Sequence, residues 1–270
     1  MSAAPPSAGE TAGPGPGYRD NPAHFVEFEP SPKRVRVTFA GADIVDTTSA
    51  LIVYEANHVP VYYFPRADVA MAHLVTTEHS THCPFKGDAN YFSIVVNGQT
   101  AENAVWSYEL PFDEVVGLKD YVALYWNRVE HWYEEDEEVF VHARSPRVRI
   151  DILESSRPVR IVLGGETVAE TSRARFLFET NLPTRYYIPR EDVSGELLPS
   201  GTQTQCPYKG AASYHSVKVG ADVHEDIVWY YPDPVHESAR IQDYLCFFNE
   251  KVDAVYVDGV EQEKPRTRWS

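Results

Sequence analysis

Two short motifs contain the side chains that could contact a ligand, and the first is Cys-Pro-Phe-Lys-Gly at residues 83–87. Proline fixes its own φ and favours an extended residue before it, while Gly87 can take the positive φ that a side chain would resist. The motif therefore predicts a tight turn that holds Lys86 on a rigid base. Such a turn serves either as a structural corner or as a clamp in which Lys86 contacts an anionic group.

The second motif is Tyr-Tyr-Phe-Pro-Arg-Ala-Asp-Val at residues 62–69. Its Arg66 can form a surface ion pair with Asp68 or with another carboxylate, and such a pair contributes little to stability. Alternatively, the planar guanidinium beside Tyr63 can hold a carboxylate or a phosphate. If Arg66 and Lys86 face one cleft, that cleft selects anions.

Aromatic and acidic residues complete the first candidate site. Trp106 and Tyr108 lie two positions apart on a predicted strand, so their side chains share a face. They either pack in a core or form an aromatic wall for a planar ligand. Glu55 follows an apolar run, and a carboxylate buried there needs a partner. We interpret Glu55 as one half of a salt bridge, with a role as a general base as the alternative.

Both motifs occur twice, because the chain contains an internal repeat. Residues 62–69 recur at 186–193, and residues 83–87 recur at 206–210, with one residue lost between the two matches. Ordered matches of this kind indicate duplication. The second copy supplies a second set of candidate ligand-binding residues, which are Glu179, Tyr187, Arg190, Cys206, Lys209, Trp229 and Tyr231.

A metal site is not predicted. His79, His82 and Cys83 resemble metal ligands, and a thiol beside a histidine resembles an activated nucleophile. However, the second copy has Thr202 and Gln205 in place of the two histidines. The sequence also has no phosphate-binding glycine loop and no paired-histidine zinc motif, so no metal and no cofactor is expected.

Within each copy, alternating apolar and polar residues predict a meander of short strands. In the first copy they are predicted at residues 35–39, 50–54, 59–64, 91–97, 104–108 and 121–127. A short helix is predicted from Asp68, which could cap the turns formed by residues 69–74. The predicted fold class is mainly β, with two tandem small antiparallel β domains, each closed as a barrel or packed sheets and each carrying one short helix.

The predicted domain boundaries follow the repeat and the composition. They are a disordered Pro/Gly-rich leader at 1–22, a first repeat at 23–133, an acidic and Arg-containing bridge at 134–156, a second repeat at 157–262 and a tail at 263–270. The acidic run at 134–138 is interpreted as a solvated connector. The alternative is a docking site for a basic partner.

Composition restricts the class of partner. The chain has 24 Lys+Arg against 40 Asp+Glu, a formal charge of −16 that repels a polyphosphate backbone, so no nucleic acid is expected. Three widely spaced cysteines suit a reducing compartment. No apolar run reaches the ~18 residues of a membrane span. We therefore expect a soluble, cytoplasmic protein that does not bind a membrane.

Together the two motifs, followed by Tyr, Trp-x-Tyr and Pro, resemble the family of domain of unknown function 427. The tandem arrangement is similar to the two-copy members of that family, including a bridge with His142, Arg144, Pro146, Arg149 and Asp151. The resemblance covers residues 24–262. It implies a β-tent-like fold of two small leaning sheets, a nucleotidyltransferase-like label and no established activity. By analogy with other β-tent proteins, it also suggests a small molecule bound between the sheets.

The leading functional hypothesis is binding of a small anionic or planar molecule by a Lys/Arg/aromatic pocket in each repeat. One alternative is a group-transfer enzyme for nucleotidyl or acyl groups, in which Lys86 or Lys209 stabilises developing negative charge. Another is a non-catalytic interaction scaffold, which would have no concave pocket. The sequence does not decide whether the protein is an enzyme.

Overall fold

The computed structural model describes residues 10–267 and residue 270. The chain divides into two compact units, with the division between Ser145 and Pro146. Each unit corresponds to one copy of the sequence repeat. The mainly-β fold of two tandem domains that the sequence predicts is confirmed.

The first unit begins with a short helix, α1 (Pro16–Asp20). Its strands are β1 (Val26–Pro30), β2 (Val35–Phe39), β3 (Ala42–Thr47), β4 (Leu51–Glu55), β5 (Val61–Pro65), β6 (Leu74–Cys83), β7 (Gly87–Val96), β8 (Gln99–Ser107), β9 (Tyr121–Leu124), β10 (His131–Glu134) and β11 (Glu137–Val139). Short 3₁₀ turns cover Arg66–Asp68, Met71–His73, Asp113–Leu118 and Trp126–Arg128.

These strands form two antiparallel sheets. The larger has the order β1-β4-β5-β9-β8-β7-β6, and the smaller has the order β11-β10-β2-β3. Because alternate residues of a strand point to opposite faces, Tyr62 and Phe64 lie in the core that the two sheets share, with Val37 from the smaller sheet. Tyr63 points the other way and joins a second cluster on the outer face of the larger sheet. That outer face carries the candidate site.

The second unit repeats this architecture. Its strands are β12 (Ile150–Glu154), β13 (Val159–Leu163), β14 (Glu166–Thr171), β15 (Arg175–Glu179), β16 (Arg185–Ile188), β17 (Glu196–Cys206), β18 (Gly210–Val219), β19 (Asp222–Tyr230), β20 (Leu245–Phe247), β21 (Ala254–Val257) and β22 (Val260–Glu261). Its 3₁₀ turns are Arg190–Asp192 and His236–Ile241. The sheet orders, β12-β15-β16-β20-β19-β18-β17 and β14-β13-β21-β22, match those of the first unit strand for strand.

Asp68 does not cap the helix that the sequence predicts. The chain forms two separate 3₁₀ turns there and then enters β6, at residues where the sequence predicts no strand. Asp68 is the last residue of the first turn, and its carboxylate accepts a hydrogen bond from Thr47 Oγ1 at 2.6 Å. The carboxylate therefore ties the turn to β3. Asp192 accepts the same bond from Thr171 at 2.6 Å.

The prediction of a disordered leader is wrong for residues 10–22. Backbone hydrogen bonds fix this segment, from Ala12 N to Pro111 O at 2.9 Å and from Gly17 N to Pro84 O at 2.9 Å. Gly17 packs so closely that an added Cβ would lie 2.7 Å from the Phe85 ring. The small residues that suggested disorder permit this close contact. Residues 1–9 of the predicted leader lie outside the described residues.

The segment predicted as a bridge contributes strand residues to both units, at the end of β10 and in β11 of the first unit and in β12 of the second. Glu134 is buried in β10, where it accepts hydrogen bonds from Tyr62 Oη at 2.9 Å and from Lys33 Nζ. It therefore belongs to the core, unlike the solvated connector expected from the charge run. Residues 135–138 of the same run are exposed, as expected. In the part of the chain that the structure describes, no helix is long and apolar enough to cross a membrane.

Candidate functional site

A pocket of about 450 Å³ opens on the outer face of the first unit's larger sheet. This face is turned away from the core between the two sheets, so the site does not lie between the sheets as the β-tent analogy suggested. The apolar part of the pocket is lined by Val53, Val61, Tyr63, Tyr91, Trp106 and Tyr125. The polar part is lined by His24, Glu55, His58, His82, Cys83 and Lys86, with Tyr108 beside it.

The Cys-Pro-Phe-Lys-Gly turn between β6 and β7 positions Lys86. Gly87 has φ +104°, a conformation that side chains disfavour, and an added Cβ would lie 3.2 Å from Leu110 O. The Lys86 backbone is fixed at both ends, because its N–H donates to Cys83 O at 3.3 Å and its C=O accepts from Phe112 N at 3.2 Å. The sequence prediction of a rigid turn that projects Lys86 is therefore confirmed in geometry.

Lys86 meets Glu55 at the polar end of the pocket. Its Nζ donates a short hydrogen bond to Glu55 Oε2, and both side chains are nearly buried, with 11% and 12% of their surface exposed. His24 Nε2 lies 3.2 Å from the other carboxylate oxygen. His58 Nδ1 is 3.9 Å from Oε2. Both oxygens of Glu55 are thus engaged by groups of the protein.

The aromatic side of the pocket is held together by ring contacts and phenol hydrogen bonds. Trp106 Nε1 donates to Tyr63 Oη at 3.2 Å, and the Trp106 and Tyr125 rings lie 4.6 Å apart. Tyr91 Oη is 3.3 Å from Tyr125 Oη and 2.9 Å from Thr81 Oγ1. Trp106 is only half-buried, so part of its ring surface faces the open pocket.

Burial keeps the phenols around the pocket protonated. Desolvation raises the pKa of Tyr63 and of Tyr108 above the usual value. Burial and the hydrogen bond shared with Tyr91 raise the pKa of Tyr125 to about 12. These tyrosines therefore act as neutral hydrogen-bonding groups.

Comparison with protein-family models finds one known domain in each repeat. The model of domain of unknown function DUF427 matches the chain twice, at residues 27–135 and 151–258. The chain belongs to the DUF427 family. The two matches fall in the two structural units, so the resemblance drawn from the sequence is confirmed as a tandem pair of DUF427 domains. No curated protein matches the chain.

Arg66, and Arg190 in the second DUF427 domain, lie away from the aromatic face that carries the lysine. The expectation that lysine and arginine line one pocket is therefore wrong. Arg66 Nη2 donates to Ser107 Oγ and Glu109 Oε1, each at 2.8 Å. Ser107 follows Trp106 on β8, so the two side chains point to opposite faces of the sheet. In the second domain, Arg190 Nη2 lies 2.8 Å from His215 Nε2. Arg66 and Arg190 therefore stabilise the opposite face.

The remaining predicted residues of the second DUF427 domain reproduce the contacts of the first. Lys209 Nζ donates to Glu179 Oε2 at 2.5 Å, and Trp229 Nε1 donates to Tyr187 Oη at 3.1 Å. Tyr231 is buried like Tyr108. Cys206, like Cys83, is partly buried next to the lysine turn. The contact between lysine and glutamate and the contact between tryptophan and tyrosine are thus properties of the DUF427 fold in this protein.

The histidines that resembled metal ligands have other contacts. His82 Nδ1 lies 2.6 Å from Asp88 Oδ1, and the His79 ring packs against Tyr91 at 4.4 Å. Among the described residues, no group of three or more His, Cys, Asp and Glu side chains is arranged to hold a metal ion.

Sequence reasoning missed several residues of the pocket. His24 comes from the segment before β1 and stacks on Phe85, with ring centroids 3.5 Å apart and planes 11° apart. It has no counterpart in the repeat, so comparison of the copies gave no signal. Tyr125 could have been found, because the second copy has an aromatic residue, Phe248, at the matching position.

Proposed function

We propose that the first DUF427 domain binds a small planar molecule that carries an anionic group. The observation that carries the proposal is one pocket with an indole wall, at Trp106, and a lysine, Lys86, at its polar end. Its volume, about 450 Å³, falls within the ~300–1,000 Å³ of small-molecule sites, which are typically lined by aromatic residues with a few polar groups. The planar part stacks on Trp106 and the anionic group contacts Lys86.

The preferred charge of the ligand follows from how the polar groups are already used. Both oxygens of Glu55 have partners within the protein. An ammonium group has three donors, and the described residues show one side-chain hydrogen bond from Lys86, to Glu55. Lys86 can therefore donate further hydrogen bonds to a ligand. A cationic ligand would find Glu55 already neutralised.

An interaction scaffold is less well supported, because that hypothesis expects no concave pocket. Group transfer remains a prediction from sequence. Among the contacts of the described residues, none identifies a nucleophile or a general base for group transfer. Binding is the function that the geometry supports best.

The test uses three flat probes of nearly equal shape and different charge: benzoate, benzamide and benzamidine. Titration calorimetry at pH 7 should give benzoate an affinity at least tenfold higher than that of protonated benzamidine, with neutral benzamide between them. The preference for benzoate should disappear in Lys86→Met. Lys209→Met is the matched control, because it removes the equivalent lysine of the second domain, and it should leave the preference intact.

Two results would overturn the proposal. One is equal or absent binding of all three probes to the unchanged protein. The other is loss of benzoate binding in Lys209→Met as large as that in Lys86→Met, because the loss would then reflect general destabilisation and not contact at the pocket.

A further inference from the structure

The two DUF427 domains have almost the same aromatic framework. In the first, the rings of Tyr63 and Trp106 lie 6.2 Å apart at 88°, and in the second, the rings of Tyr187 and Trp229 lie 6.4 Å apart at 88°. Each indole also contacts a second aromatic ring at nearly the same centroid distance. Trp106 lies 4.6 Å from Tyr125, and Trp229 lies 4.5 Å from the equivalent Phe248. The second domain therefore has aromatic side chains in the positions that form the pocket walls of the first domain.

One position on these walls differs in size and charge. Val61 faces Val53 in the strand pairing of the first domain and lines the pocket. Arg185 occupies the same place in the second domain, where it pairs with Leu177. Its guanidinium carbon lies 5.4 Å from the centre of the Trp229 ring. The arginine side chain therefore lies where the first domain has open space next to its indole.

The exposure of the two indoles agrees with this difference. Trp106 is half-buried, whereas Trp229 is buried, with 9% of its surface exposed. The Arg185 side chain is itself only 8% exposed. Arg185 thus covers the indole face that the first domain leaves accessible.

A buried carboxylate holds Arg185 in place. Glu250, at the position of Asn127 in the first domain, has 0% of its side chain exposed. It accepts two hydrogen bonds from the guanidinium, each at 2.7 Å. Thr267 Oγ1 adds a third at 2.6 Å. A bidentate pair of this kind fixes orientation as well as charge, so Arg185 does not swing out as a solvent-exposed arginine would.

From these contacts we infer that the second domain contains a closed copy of the binding pocket, in which the Arg185–Glu250 pair occupies the ligand position. Among the described residues, the two domains then offer one open site of this kind, in the first domain. Replacing the pair by the residues of the first domain, valine and asparagine, opens a second site of the same kind. Both changes are needed, because Arg185→Val alone would leave the Glu250 charge buried without its partner.

The inference rests on the proposed function for its ligand readout, and the experiment exchanges the pairs in both directions. The probe is benzoate, measured by titration calorimetry. Arg185→Val/Glu250→Asn should raise the number of sites per chain from one to two. The reciprocal variant Val61→Arg/Asn127→Glu should close the first site and reduce the number to zero. Arg185→Met/Glu250→Gln is the control that removes the charges and keeps the hollow filled, and it should remain at one site.

A second measurement works without any ligand, so failure of the proposed function can be distinguished from failure of this inference. The five tryptophans of the chain are labelled with 5-fluorotryptophan, and the ¹⁹F signal of Trp229 is assigned with Trp229→Phe. A soluble paramagnetic agent should broaden this signal several-fold more in Arg185→Val/Glu250→Asn than in the unchanged protein. In the control Arg185→Met/Glu250→Gln, the agent should broaden the Trp229 signal no more than in the unchanged protein.

If the unchanged protein does not bind benzoate but Trp229 becomes accessible as expected, the closed pocket stands and the proposed ligand class fails. If the exchanged variant is folded, keeps one site and leaves Trp229 protected, the inference is refuted. Should that variant not fold, the reciprocal variant decides, because undiminished benzoate binding in a folded Val61→Arg/Asn127→Glu protein contradicts closure by this pair.

Discussion

Substitution of Lys86 and substitution of Lys209 should both destabilise the domain that carries the change, but only substitution of Lys86 should affect ligand binding. Lys86 and Glu55 are 11% and 12% exposed, and Lys209 and Glu179 are 10% and 9% exposed. Removing either ammonium leaves a carboxylate with little access to water. Loss of one partner of a buried pair typically costs about 3–5 kcal/mol.

We expect the low end of that range, about 3 kcal/mol, for Lys86→Met, because His24 remains a partner of Glu55. For a unit of this size, each kcal/mol lowers the melting temperature by about 4 °C, so a decrease of about 12 °C is expected for the domain that carries the change. Lys209→Met should be at least as costly. In Lys86→Met/Glu55→Gln, where no charge remains, most of the loss should be recovered, leaving about 1 kcal/mol.

Urea denaturation followed by circular dichroism, with calorimetry to separate transitions of the two domains, measures these values. Costs below about 1 kcal/mol for both single variants would refute the reasoning, because they would show that the carboxylates are well solvated without the lysines. A double variant no more stable than Lys86→Met would equally contradict it, since the cost would then not come from an unpaired charge.

Two further predictions concern the leader and a titrating histidine. Gly17→Ala should release residues 10–22, because its Cβ would lie 2.7 Å from the Phe85 ring, and proteolysis of this segment should become several-fold faster. Gly201→Ala is the control, because no atom lies within 4 Å of the added Cβ, and it should leave proteolysis of residues 10–22 unchanged. Burial and the adjacent Arg190 lower the pKa of His215, so below pH 6.5 the unfolded chain binds a proton that the folded chain resists. Stability of the second domain should therefore fall as pH decreases from about 7 to 5, by at most about 1.4 kcal/mol per pH unit. Urea midpoints should show a smaller fall in His215→Phe, and an equal fall would exclude His215 as the cause.

The features of the site that could be predicted from sequence are those fixed by local chain geometry. Pro84 and Gly87 specify the turn that carries Lys86, and the observed φ of +104° at Gly87 and +102° at Gly210 bears this out. The shared face of Trp106 and Tyr108 follows from the two-residue period of a strand. In each case the cause lies within a few residues of the effect.

The errors arose where the cause is distant in sequence. Arg66 follows the end of β5, so strand periodicity does not determine its direction, and contacts with Ser107 and Glu109 turn it away from the pocket. Residues 10–22 contain no Val, Ile, Leu, Met or Phe. They are nevertheless ordered by backbone hydrogen bonds to other segments. Propensity and composition do not report such long-range contacts.

The repeat itself explains why the ligand remained undetermined by sequence. A feature present in both domains, such as the pairing of Lys86 with Glu55 and of Lys209 with Glu179, satisfies a requirement of the fold and cannot alone indicate a ligand. Information about binding lies in positions where the domains differ while their framework stays the same. Val61 opposite Arg185 is such a position, because one residue leaves an indole accessible and the other covers it. Selectivity should therefore change most with substitutions at unmatched positions that line the pocket, and stability with substitutions at matched ones.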